Sequence, residues 1–144
     1  MTHSDAGRYS AKHAPGRSPD ERIAAAIRSK AKEKELSCAD AEHISSGLGA
    51  SMTEVGLTLD LLEVRISRCQ LGLFGYAAEG KIVRQETPQI PGFEKAVRDR
   101  LSDGKLPCAA AWELAAEWKL PRLKVSSACE ALKIKIKPCQ LGAF

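Results

Sequence analysis

At 144 residues, 44% hydrophobic and 28% charged, the chain has room for one ordinary domain or two small ones, and its composition is that of a soluble globular protein, not a disordered or membrane one. No apolar run reaches bilayer length and none follows the polar opening MTHSDAGRYSAKHAPGRSPD, so neither a membrane span nor a secretory signal is expected, and the cytoplasm is the expected location. A net charge of +4 permits contact with nucleic acid without demanding it.

Residues 1–18 read as a disordered polar tail. The first helix is expected to open at SPDE, with Ser18 as N-cap, Pro19 in the first helical position and Glu21 completing a capping box. Ile23 and Ile27 then share one face. A second helix is expected from about Ala39 to Gly47, then a left-handed turn at Gly49. Ser51 and Glu54 form a second capping box, for a third helix from about Thr53 to Glu63. EVRIS alternates as a strand should. CQLGLF, residues 69–74, is expected to close this first unit, residues 19–74, with Leu71 and Phe74 packed back onto its helices. Residues 75–91 follow as a wing and linker, turning at AEGK and returning as KIVRQ.

Residues 92–144 repeat the first unit at an offset of seventy without a gap. Leu36, Cys38, Ala39, Ala41, Val55, Leu62 and Ile66 fall on Leu106, Cys108, Ala109, Ala111, Val125, Leu132 and Ile136. Cys69, Gln70, Leu71, Gly72 and Phe74 fall on Cys139, Gln140, Leu141, Gly142 and Phe144. The third helix of the second unit is expected at about 122–132, followed by the strand KIKIK. The expected fold is therefore mainly α with short strands, as two tandem units.

HISSGLGASMTEVGLTLDLLEVRI (43–66) and its partner ELAAEWKLPRLKVSSACEALKIKI (113–136) resemble the helix-turn-helix of winged-helix proteins. Two departures fall in the second unit, where Lys119 replaces the turn glycine and Pro121 the capping serine. The resemblance implies that a third helix enters the major groove of duplex DNA, with cations on phosphates and polar side chains on base edges. The first unit suits this poorly. Its outward positions are expected to be Met52, Thr53, Glu54, Gly56, Leu57, Asp60 and Glu63, and residues 19–74 carry seven basic against nine acidic side chains. The second unit suits it better, with Arg122, Lys124, Ser126, Ser127 and Lys133 along its third helix, Lys135 and Lys137 beyond, and ten basic against six acidic side chains in residues 92–144. The partners expected are thus duplex DNA through unit 2, a protein through Met52 and Leu57 of unit 1, and a second copy of the chain. The rival to DNA binding is an adaptor with no nucleic-acid contact.

Five cysteines in a reducing compartment leave packing, metal binding or redox chemistry open. Cys129 aligns with Leu59 and reads as core. Cys38 and Cys108 open second helices, and Cys69 and Cys139 lie 31 residues later, so each pair is expected to be close in space. Zinc or an iron–sulfur cluster on these four would make the chain a metal- or redox-linked accessory protein, although no C-x-x-C spacing is present. LPCAAAWELA with CQLGAF also resembles small cysteine-bearing modules attached to molybdopterin guanine-dinucleotide maturation proteins, which implies a role beside a metal cofactor; the phosphate-binding loop of such proteins is missing. No catalytic motif is present, and no catalytic residue is expected.

Overall fold

The computed structural model describes residues 7–144. The expected tail therefore falls partly outside the described residues, which leave out 1–6 and with them His3. The chain is mainly helical, and among the described residues no helix is long and apolar enough to cross a membrane.

Helix α1 (Glu21–Lys30) starts two residues later than the SPDE motif suggests. Asp20, not Ser18, is the cap, its carboxylate accepting the N–H groups of Arg22 and Ile23. It buries Ile23, Ala24 and Ile27. A turn through Glu33 and Lys34, both at positive φ, leads to β1 (Glu35–Ser37). Ser37 then caps α2 (Cys38–Leu48), which ends at Gly49 with φ 64°. The Ser51–Glu54 capping box is fully formed and opens α3 (Met52–Leu61). β2 (Arg65–Ser67) lies parallel to β1, with Leu36 opposite Ile66.

In the second half, α4 (Phe93–Arg98) precedes α5 (Cys108–Glu117) and α6 (Arg122–Ala131). Lys119 adopts φ 54° at the position of Gly49, so the turn survives the loss of its glycine. Pro121 stands outside the helix as its N-cap residue. KIKIK makes a single parallel bridge, Ile136 to Leu106, held by Leu106 N–H to Lys135 O at 2.9 Å and Lys137 N–H to Leu106 O at 2.8 Å. This is the Leu36–Ile66 pairing seventy residues on.

The backbone divides into two units, one reaching to Cys69 and including Gln140–Phe144, the other Gln70–Cys139. The closing peptides are therefore crossed. QLGLF (70–74) belongs with α6, where the Ser126 hydroxyl is placed to donate to Leu71 O at 2.6 Å. QLGAF (140–144) belongs with α3. A β-carbon built on Gly56 would lie within 2.9 Å of three backbone atoms of Leu141. Leu71 and Leu141 are both buried. The expectation that each CQLG peptide packs on its own helices fails because the strand before it ends at the unit boundary.

Two further expectations fail. KIVRQ forms no returning wing strand: the N–H groups of Ile82 and Val83 both point at Gly72 O, and Glu86 N–H goes to Ser127 O, so the segment follows α6 instead. Part of the polar tail is ordered. Residues 9–12 make one 3-10 turn, Tyr9 is buried, and the Glu63 carboxylate accepts the N–H groups of Tyr9 at 2.6 Å and Ser10 at 2.8 Å. Burial alone would raise the Glu63 pKa, but hydrogen bonds from Ser10 and Tyr9, with Lys34 nearby, hold it below its ordinary value.

Candidate nucleic-acid interface

On the expected reading helix, α6, the two serines are withdrawn from solvent and the two cations are engaged by neighbouring side chains. Ser126 is fully buried, and Ser127 is 5% exposed. Arg122 lies over the Trp112 ring, its Cζ 3.7 Å from the ring centroid, and donates to Gln70 Oε1 at 2.9 Å. Lys124 meets both oxygens of the Glu86 carboxylate at 2.7 Å. The reason is local: residues 70–74 and 81–89 occupy the face that a groove would need. Of the five residues expected to touch DNA, Lys133 alone is exposed and outside any such pair.

Helix α3 is covered as well. Gly56 and Asp60, expected to face outward, are buried, while Met52 and Leu57 are half-buried. Asp60 Oδ2 is 2.7 Å from His13 Nε2 and 3.1 Å from Lys12 Nζ, and its Oδ1 has no hydrogen-bond partner among the described residues.

The exposed cations lie elsewhere in unit 2. In KIKIK, Ile134 and Ile136 turn inward, and Lys133, Lys135 and Lys137 turn outward. The Leu106–Ile136 register sets exposed Lys105 beside Lys135. None of these four lysines lies within 4.0 Å of a carboxylate among the described residues. Seventy residues earlier the same two positions are Glu35 and Arg65, in register and 3.7 Å apart as an ion pair. Like charges placed side by side on neighbouring strands oppose folding, by up to about 1 kcal/mol. Unit 2 thus carries a repulsive pair where unit 1 carries an attractive one. Sequence reasoning named Lys135 and Lys137 only as an extension of α6 and missed Lys105, because its neighbour is set by strand register. The alternation KIKIK and the change from Glu35 to Lys105 were the available signals.

None of the five cysteines forms a disulfide. Cys38 and Cys69 fall in unit 1, and Cys108 and Cys139 in unit 2. Among the described residues no three His, Cys, Asp or Glu side chains are grouped to hold a metal ion. Within each pair the backbones are close. Ser37 is in register with Ser67, and Cys108 N–H donates to Pro138 O at 3.0 Å. Cys129 sits in the core at 1% exposure; burial, helped by the Glu130 carboxylate, pushes its thiol from 9.0 to about 12. The unfolded chain ionises this thiol first, so its contribution to stability is complete below about pH 9 and falls as the pH climbs toward 12. Between pH 9 and 10.5 the native protein is expected to lose denaturant stability more steeply than Cys129→Ala. Parallel slopes would show that the thiol ionises alike in the folded and unfolded states.

No family model matches the chain, and neither a curated protein nor a solved structure matches it.

Proposed function

We propose that the chain is a non-enzymatic, nucleic-acid-binding protein built from two tandem helix-turn-helix units of winged-helix type, arisen by duplication, and that unit 2 grips duplex DNA by its phosphates. The observation that carries this is the Lys105–Lys135 pair with Lys133 and Lys137 beside it: four exposed cations on two paired segments, kept against their mutual repulsion. Lys135 and Lys137 flank the bridged Ile136, about 6.6 Å apart at the rise of an extended segment, a spacing suited to a line of charges. Such contacts position a protein on DNA without reading sequence. Base reading by Ser126 and Ser127 is no part of the proposal, since both are buried.

The test uses fluorescence anisotropy with a labelled duplex. Four phosphate contacts give a log–log salt slope of about −3.6, and roughly two orders of magnitude lost between 50 and 200 mM salt. Lys105→Glu separates function from structure. It should add up to about 1 kcal/mol of stability by pairing with Lys135, as Glu35 does with Arg65, while weakening DNA binding and flattening the salt slope. Absence of binding at 50 mM salt, or binding that ignores Lys105→Glu, removes the proposal.

A second reading, a protein adaptor, has one observation in its favour. Ile82 and Leu123 are both more than a third exposed, and both border Gly72 in unit 2. This differs from the expected adaptor surface at Met52 and Leu57. Substituting Ile82 and Leu123 with Ser should leave DNA binding unchanged; a loss of binding would show that this patch belongs to the same interface.

A further inference from the structure

We infer that Cys108 and Cys139 are a redox pair whose disulfide staples the lysine-bearing segments together and tightens the grip on DNA; this rests on the reading that those lysines contact phosphate. The two segments meet at only one ladder bridge, Leu106 to Ile136. Just beyond it, Cys108 N–H donates to Pro138 O at 3.0 Å. That bond joins Cys108 to the peptide leading into Cys139. Standard bond lengths on either side keep the two α-carbons within about 7 Å, the reach of a disulfide. Lys105 lies three residues before one cysteine and Lys137 two before the other, so a cross-link here ties Lys105 to the segment that carries Lys135 and Lys137.

The pairs in the two units differ in access. Cys38 and Cys69 are 7% and 6% exposed, and Cys108 is 5% exposed, whereas Cys139 is only half-buried. A small oxidant therefore meets Cys139 first. With hydrogen peroxide as the oxidant, the Cys139 thiolate attacks one peroxide oxygen. The S–O bond forms, the O–O bond breaks, and the departing hydroxide takes up a proton to leave as water. The Cys108 sulfur, having released its proton, then attacks Cys139 Sγ. The S–S bond forms, the S–O bond breaks, and the hydroxyl takes up that proton as a second water. The two thiols lose two electrons and two protons, and one peroxide is reduced to two waters. The product holds the lysine row in one arrangement before DNA arrives, which lowers the ordering cost of binding.

The experiment treats the full chain with substoichiometric hydrogen peroxide, then blocks remaining thiols and maps tryptic peptides without reduction. The expected product links the peptide bearing Cys108 to the peptide bearing Cys139, appears before any Cys38–Cys69 link, and is lost in Cys139→Ser. The oxidised protein should bind the labelled duplex about three- to tenfold more tightly, reversed by dithiothreitol, and Cys139→Ser should show no such change. Failure of the link to form overturns the inference while leaving phosphate binding standing. So does an intermolecular Cys139 dimer, or a link that leaves affinity unchanged. If the link forms and neither redox state binds DNA, the phosphate reading falls, and with it the regulatory meaning of the bond.

Discussion

Deleting Gln140–Phe144 is expected to unfold the amino-terminal unit, seventy residues away in sequence, while leaving the unit beside the cut folded. Leu141 and Ala143 are each 2% exposed and belong to the unit that contains α1, α2 and α3. Removing a buried leucine with its backbone opens a gap over α3 that a helix cannot close by relaxing. Losses of about 2–5 kcal/mol accompany even Leu→Ala in a core. A unit of this size has a total stability of about 5 kcal/mol, so most of it is spent. Lys12 also loses its acceptor, Gly142 O at 3.2 Å. Both tryptophans, Trp112 and Trp118, lie in the other unit and give it a private signal. The expected result is a first melting step lowered by roughly 15 °C or more in far-UV circular dichroism, with the tryptophan transition unmoved. A tryptophan transition that falls while the first step stays would place the closing peptide on its own repeat.

Gly56→Val is the second large effect. The absent side chain at Gly56 lets the Leu141 backbone lie directly against α3. A β-carbon there meets backbone atoms, which cannot swing aside as a side-chain tip can. Overpacking of this kind costs about 1–3 kcal/mol or more, against less than about 1 kcal/mol of helix propensity gained on leaving glycine. Ser126 stands at the equivalent place in α6 and spaces the other closing peptide through a hydroxyl bond to Leu71 O. Ser126→Gly should therefore destabilise the second unit by only about 1–3 kcal/mol, through a lost buried hydrogen bond. Equal tolerance of valine at both positions would show that neither helix is approached so closely.

Local features were legible in the sequence. Gly49 and the Ser51–Glu54 box fix the junction of α2 and α3 by backbone chemistry within a few residues, and both stand as read. The alternation in EVRIS likewise gave the face of β2. What failed involves partners distant along the chain. Periodicity says that Leu71 and Leu141 will be buried, and not against which helix. Asp60 and Gly56 were placed outward because α3 was read alone, without the segments that cover it. Polarity alone predicts a disordered tail, yet two backbone N–H groups and one carboxylate suffice to dock residues 9–10. The lysine cluster is half legible: three members share the KIKIK segment, and the fourth arrives through the Leu106–Ile136 bridge.

The crossed closing peptides also decide how the folded state answers to dilution. A chain carrying one repeat would have a bare α3 and a closing peptide with no helix of its own to cover, so it could complete itself only with a second molecule, and its folded fraction would fall as it was diluted. Joining two such repeats turns that encounter into an internal one. The linker holds each closer near its helix at an effective concentration on the order of millimolar, whatever the concentration of the protein. A chain that holds both units gains independence from its own abundance, and a nick in residues 75–91 would restore the dependence.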